Sequence, residues 1–342
     1  MNLSLSGATE AAPAEGTIPG VTPVDETDPE TAIKLVSVVI PMLNEEVSLG
    51  PLMERLDPVL DSISDRYRVE ILFVDDGSTD RSFEMVRDLA VKDPRIRGLQ
   101  LSRNFGSHLA ITAGLENARG DAAIILTADL QEPPERIPDF VAKWEAGNEI
   151  VWGVRSHRAD QRSSDGLFSK VFTALTRSGP EMQGYPAEGP SAYVLLDRVV
   201  LDALRRFPER NRMILGMIAW TGFRGTTLEY EQEVRRAGAS GWSTAKKVKL
   251  TVDTLVSFSY TPIRVASLLG IVISIAAFLY AAVVIVLALT GSVTATGFAT
   301  LLAIVLLLGG VQLLFLGILG EYLWRALDES RRRPTYLIRD QI

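Results

Sequence analysis

The 342-residue chain contains no cysteine and only two histidines, His108 and His157. The first absence excludes disulfides and thiolate zinc sites, and the second leaves too few imidazoles for a histidine-built metal centre. Any metal would need oxygen ligands, as magnesium and manganese do. Residues 265–320 carry no charged side chain, and they hold most of the apolar excess behind a composition that is 47% hydrophobic. The first thirty residues contain no lysine or arginine, only the acids Glu10, Glu15, Asp25, Glu26, Asp28 and Glu30. Most of the net charge of −7 therefore sits there, the remainder is close to neutral, and no nucleic-acid partner is expected. Rich in Ala, Gly, Pro, Thr and acids, residues 1–33 read as a disordered acidic tail. They also lack the basic start and long apolar run of a signal peptide, which predicts that the following domain stays in the cytoplasm.

What is present is organised around residues 122–135, Ala-Ala-Ile-Ile-Leu-Thr-Ala-Asp-Leu-Gln-Glu-Pro-Pro-Glu. A short β-favouring run ending in an acid and two prolines predicts a buried strand that delivers Asp129 to its carboxyl end, where open α/β sheets place ligands. Upstream, residues 35–41 form a strand-like run closed by Pro41, and Asn44-Glu45-Glu46 opens a helix to about Leu60. Residues 69–74 repeat the pattern and end in Asp75-Asp76-Gly77-Ser78-Thr79-Asp80. Ser78, Thr79 or Asp80 suits a helix cap, but capping alone does not account for two adjacent carboxylates at a strand tip. Further strands are expected over 96–102, 122–126, 149–152, 193–196 and 226–232, with helices over 105–118 and from Arg210-Asn211-Arg212 to Trp220. This alternation argues for a mostly parallel, three-layer α/β domain.

Four stretches in order, Ser37-Val-Val-Ile-Pro-Met-Leu-Asn-Glu-Glu46, Val74-Asp-Asp-Gly-Ser-Thr-Asp80, Ser102-Arg-Asn-Phe-Gly106 and Ala128-Asp-Leu-Gln-Glu-Pro-Pro-Glu135, resemble the signatures of family 2 glycosyltransferases. More narrowly, they resemble the polyisoprenyl-phosphate glycosyltransferases, such as dolichol-phosphate mannose synthases, bactoprenol glucosyltransferases and aminoarabinose lipid-carrier transferases. The likeness extends through Gly317-Ile-Leu-Gly-Glu-Tyr322 and Arg333-Pro-Thr-Tyr336. It implies a Rossmann-like GT-A catalytic domain that uses Mg²⁺ or Mn²⁺ and a UDP- or GDP-linked sugar. Pro41, Glu45, Asp75, Asp76, Asn104 and Thr127 would then bind the nucleotide-sugar, Asp129 the metal, and Gln131 the diphosphate-sugar. Two positions differ from the usual pattern: Thr127 stands where relatives have an acid, and Gly189-Pro-Ser-Ala192 where they tend to have an aspartate. A degenerate homologue that binds these ligands as a scaffold is the alternative these differences leave open.

Arg235, Arg236, Lys246, Lys247 and Lys249 cluster before the apolar region, and residues 243–258 have the spacing of an amphipathic helix on an anionic surface. Two apolar segments, about 265–289 and 298–322, are each long enough for a bilayer-spanning helix. Basic flanks at Arg264 and at Arg325, Arg331, Arg332 and Arg333 place both ends of this hairpin in the cytoplasm. The expected plan is a tail over 1–33, a GT-A domain over 34–235, a juxtamembrane segment over 236–262, a transmembrane hairpin over 263–323 and a cytoplasmic end over 324–342. The protein would be integral to the cytoplasmic membrane, with the lipid bilayer and a polyprenyl phosphate as partners, and the plan is compatible with a homo-oligomer. Acceptor phosphate would meet Arg155, Arg235, Arg236 and Lys246, and the catalytic set would be Asp129, Gln131 and Arg155.

Overall fold

The structure, a computed structural model, describes residues 33–156, 186, 190–209, 212–233, 261–290 and 297–342. The acidic tail and the juxtamembrane segment, including Arg235, Arg236 and Lys246, lie outside the described residues.

The first half follows the expected alternation: β1 (Leu35–Met42), α1 (Glu46–Asp61), β2 (Arg68–Asp75), α2 (Ser82–Lys92), β3 (Ile96–Leu101), α3 (Ser107–Asn117) and β4 (Ala122–Ile125). After a 3₁₀ turn at Pro134–Arg136 come α4 (Ile137–Glu145), β5 (Ile150–Arg155), β6 (Pro190–Asp197), α5 (Arg198–Arg205), α6 (Ile214–Trp220) and β7 (Gly225–Tyr230). Two long helices, α7 (Thr261–Leu289) and α8 (Phe298–Ser330), precede a last strand, β8 (Ile338–Gln341). Among the described residues all eight strands join one sheet in the order β7-β5-β6-β4-β1-β2-β3-β8.

β1, β2, β3 and β4 are parallel neighbours, with Val39 opposite Leu72 and Ile125. Their near-continuous Val, Ile, Leu and Phe runs are buried on both faces, as strands covered by helices on two sides must be. One core packs α1 and α4 against Val38, Ile40, Phe73 and Tyr193; the other packs α3, α5 and α6 against Val39, Leu72, Val74 and Trp152. Gly114 lets α3 lie directly on the sheet, since a Cβ there would stand 2.2 Å from Val39 Cγ1. β6 runs antiparallel to both β4 and β5, which leaves those two pointing the same way. The carboxyl ends of β1, β2, β4, β5 and β7 and the amino end of β6 therefore meet at one edge.

Two expectations change. Among the described residues no helix is long and apolar enough to cross a membrane. On that finding the expected integral-membrane location is corrected, and no described helix confirms the transmembrane hairpin. The helices α7 and α8 do form where the apolar segments predict helices, with several of their side chains outside the described set. The second change is at the end of the chain, where α8 continues to Ser330 and β8 returns to the catalytic sheet. β8 pairs antiparallel with β3, Gly98 and Ile342 exchange backbone hydrogen bonds of 3.1 and 2.9 Å, and Arg87 pairs with Asp340 at 2.7 Å.

Deleting residues 338–342 strips these bonds and the apolar cover of Ile342 from β3. The expected cost is about 2–4 kcal/mol, which lowers the thermal midpoint by about 5 °C or more. An unchanged midpoint by circular dichroism would show β8 to be dispensable.

Candidate active site

The first three loops of the functional edge are bonded into one block. Asn44, held at φ 55°, donates its N–H to Ser78 Oγ at 2.9 Å, and its side-chain oxygen accepts from the Thr79 N–H at 2.8 Å. Glu45 N–H donates to Ser82 Oγ at 2.8 Å, and Asp80 Oδ1 accepts from the Ser82 N–H at 3.0 Å where α2 begins. Asp76 reaches the third loop: its two oxygens accept from the N–H groups of Phe105 and Gly106, at 2.7 and 2.9 Å, where α3 begins. Asp75 accepts from the Ser78 N–H and from Gln100 Nε2, at 3.0 and 3.1 Å. Both carboxylates are buried and structurally engaged, so loop construction does account for the adjacent pair. Burial pushes the Asp76 pKa up, against the downward pull of its two N–H donors. Gly77 has φ 76°, and a Cβ on it would lie 2.6 Å from the Arg103 carbonyl carbon, which is why the second and third loops can touch.

The tip of β4 carries residues 127–132 in a tight turn. Leu130 is buried in the left-handed region at φ 61°, a conformation costing a non-glycine residue about 1–2 kcal/mol. Asp129 Oδ1 accepts from Thr127 Oγ1 at 2.8 Å and from the Gln131 N–H at 3.2 Å. Beneath them lies Glu132, 3% exposed, whose Oε2 stands 3.0 Å from the Thr127 nitrogen and 2.5 Å from its hydroxyl. Burial drives the Glu132 pKa up, Thr127 and Arg155 draw it down, and Asp129 adds to the rise.

β5, β6 and β7 close the other side. Arg155 is the last residue of β5, opposite Tyr230, and its charge acts on both Glu132 and the Tyr230 hydroxyl. Ser191 is buried, accepts from the Tyr193 N–H at 3.1 Å and donates to the Gly153 carbonyl at 3.3 Å. Tyr193 donates to the Pro133 carbonyl at 2.9 Å, and the Glu233 N–H to the Gln131 carbonyl at 3.0 Å. Arg55 holds Glu135 and Glu233 at 2.7 Å each, tying α1 to both segments.

Of the residues singled out in the sequence, Thr127, Asp129 and Gln131 share one turn, with Arg155 close by. Pro41 and Glu45 lie at the tip of β1, next to β4; Asp75 and Asp76 lie at the tip of β2, two strands from β4; and Asn104 follows β3, one strand further. Strand spacing separates the β2 and β4 tips by about 10 Å. Pattern reading did not single out Arg55, Tyr193, Tyr230 or Glu233, whose partners are remote in sequence. Nor did it find a role for Glu132 beyond its nearness to Asp129. Among the described residues no three His, Cys, Asp or Glu side chains gather as a metal cage. A lone carboxylate such as Asp129 still fits Mg²⁺ or Mn²⁺, which are commonly held by one or two carboxylates with phosphate and water oxygens completing the shell.

Residues 37–192 match the family described as Glycosyl transferase family 2. An uncharacterized glycosyltransferase of Bacillus subtilis, YkcC, is 39% identical over 88% of this chain and 92% of its own length. The chain belongs to glycosyl transferase family 2. This transferase is also 35% identical to the bactoprenol glucosyl transferase of Shigella phage SfV, over 90% of the chain and 98% of the relative. Among solved structures, glucosyl-3-phosphoglycerate synthase from Mycobacterium tuberculosis covers 66% of the transferase and 80% of its own chain at 19% identity, with a TM-score of 0.45.

The raised Glu132 pKa means that the folded transferase binds this proton more tightly than the unfolded chain. Its stabilising contribution is complete below the ordinary value of 4.5 and is lost as pH rises through the folded value. Glu132→Gln removes that dependence. In urea unfolding at pH values above the ordinary 4.5, the variant should gain stability relative to the parent as pH rises; parallel profiles would contradict the assignment.

Proposed function

We propose that this transferase moves a sugar from a nucleotide-diphosphate sugar to a polyprenyl phosphate, with inversion at the anomeric carbon and dependence on a divalent cation. The observation that carries the reading is the meeting at one sheet edge of the Asp129 turn, Arg155 and the block of three loops. The likeness to a protein named bactoprenol glucosyl transferase over nearly its whole length supports a lipid-carrier acceptor.

In this reading the loop block around Glu45, Asp75, Asp76 and Asn104 receives the nucleoside, and the Asp129 turn receives the diphosphate and sugar. The fixed backbone of Gln131, held by Glu233, aligns its side chain with the diphosphate-sugar. Asp129 supplies the hard oxygen for Mg²⁺ or Mn²⁺, which when bound offsets the charge developing on the diphosphate leaving group. Arg155 gives the acceptor phosphate a planar fork of donors and brings it toward the face of the sugar opposite the leaving group. A phosphate oxygen is already ionised near neutral pH, so no side chain has to remove a proton from the nucleophile. The site works by orientation and by preorganised charge.

Asp129→Asn should lower transfer by a hundredfold or more, on the order expected when a preorganised charge contact is removed, with an unchanged melting profile. Purified protein, polyprenyl phosphate, Mn²⁺ and a panel of radiolabelled UDP- and GDP-sugars provide the assay. Undiminished lipid-soluble product from the variant would sink the metal assignment, and no product from the parent with any donor would favour a scaffold. Arg155→Ala should raise KM for lipid phosphate or lower kcat while sparing nucleotide affinity. Equal loss of nucleotide binding would move Arg155 to the donor.

A further inference from the structure

Thr127 occupies the place where a second acid would stand, and the turn around it shows what its hydroxyl does. One oxygen, Thr127 Oγ1, lies within hydrogen-bond distance of two carboxylates, 2.8 Å from Asp129 Oδ1 and 2.5 Å from Glu132 Oε2. A hydroxyl has a single proton to give and two lone pairs with which to accept. That proton is directed between the two carboxylates, with Asp129 Oδ1 and Glu132 Oε2 as its acceptors, so the two acids and the hydroxyl are held in one arrangement. Glu132 is fixed in place for this contact, being buried and accepting the Thr127 N–H on the same Oε2 at 3.0 Å. The Gln131 N–H meets Asp129 Oδ1 from the other side at 3.2 Å, so one carboxylate oxygen is gripped by two donors of its own turn. The left-handed Leu130 between them keeps the turn tight enough for both contacts.

We propose that Glu132 and Thr127 are positioning residues that fix the Asp129 carboxylate, Glu132 orienting the Thr127 hydroxyl and the hydroxyl aiming Asp129. The pair acts through Asp129 in its proposed role as metal-binding carboxylate. A second acid at position 127 would stand beside buried Glu132 and beside Asp129; a neutral hydroxyl keeps the orientation without like-charge repulsion. Removing the partners that orient a metal-binding side chain typically costs 10–100-fold in metal affinity.

The test uses the full-length chain and Mn²⁺ alone, with free Mn²⁺ followed by electron paramagnetic resonance and folding by thermal melting. Thr127→Val keeps the shape and deletes the hydroxyl; it should weaken Mn²⁺ binding by roughly 10-fold or more at temperatures where thermal melting shows the variant fully folded. Thr127→Ser should restore most of that affinity. Glu132→Gln, whose amide oxygen can still accept from the Thr127 N–H and hydroxyl, should bind Mn²⁺ more tightly than Glu132→Leu, which can accept from neither. Parent-like Mn²⁺ affinity in Thr127→Val, with Asp129→Asn impaired, would overturn the positioning role and leave the metal assignment standing. Equal Mn²⁺ affinity in the parent and Asp129→Asn would overturn both.

Discussion

A carboxylate taken out of water costs several kcal/mol unless donors surround it. Among the described residues the functional edge of this transferase buries three, Asp75, Asp76 and Glu132. Each is met by groups from its own or a neighbouring loop: Ser78 and Gln100 for Asp75, Phe105 and Gly106 for Asp76, Thr127 for Glu132. Because backbone N–H groups make most of these contacts, the carboxylates dictate the path of the chain as well as its charge. The loops after β1, β2 and β3 therefore cannot shift independently, and the turn after β4 is pinned in a conformation that Leu130 would not adopt alone. A site that works by orientation needs rigidity of this kind, and here it comes from the acids themselves.

Much of the sheet could be read from the residues. Runs such as Val38-Val39-Ile40 and Ile71-Leu72-Phe73-Val74 are apolar, rich in β-favouring residues and bounded by turn signals, which marks them as strands covered on both faces, and their punctuation by proline, aspartate and glycine located the tips within a residue or two. The direction of β6 could not be read, because parallel and antiparallel pairing leave the same apolar signature in a strand buried on both faces. β8 was invisible for a different reason: Ile338-Arg-Asp-Gln341 is short and polar, and it becomes a strand only because β3 offers it an edge. The two long apolar segments were legible as helices, whereas the membrane location inferred from them was not sustained.

The candidate site divides in the same way. Asp129 and the acids after β2 were legible because a strand delivering an acid to its carboxyl end is a local pattern. The roles of those acids were not, since they depend on partners such as Gln100 and Gly106 that only the fold supplies. Arg55 is the extreme case, a helix residue with nothing to mark it, which nonetheless joins Glu135 to Glu233. Glu132 looked like one more polar loop residue, and only its burial distinguishes it.

The pairing of β8 with β3 bears on how the protein is made. β3 is synthesised early, and the strand that covers its outer edge emerges only after the rest of the sheet, α7 and α8 have been completed. Contacts between such distant segments form slowly, and until they form an uncovered strand edge can capture another chain. The nascent domain thus spends most of its synthesis with β3 open, and a chaperone that shields strand edges would have its longest opportunity there.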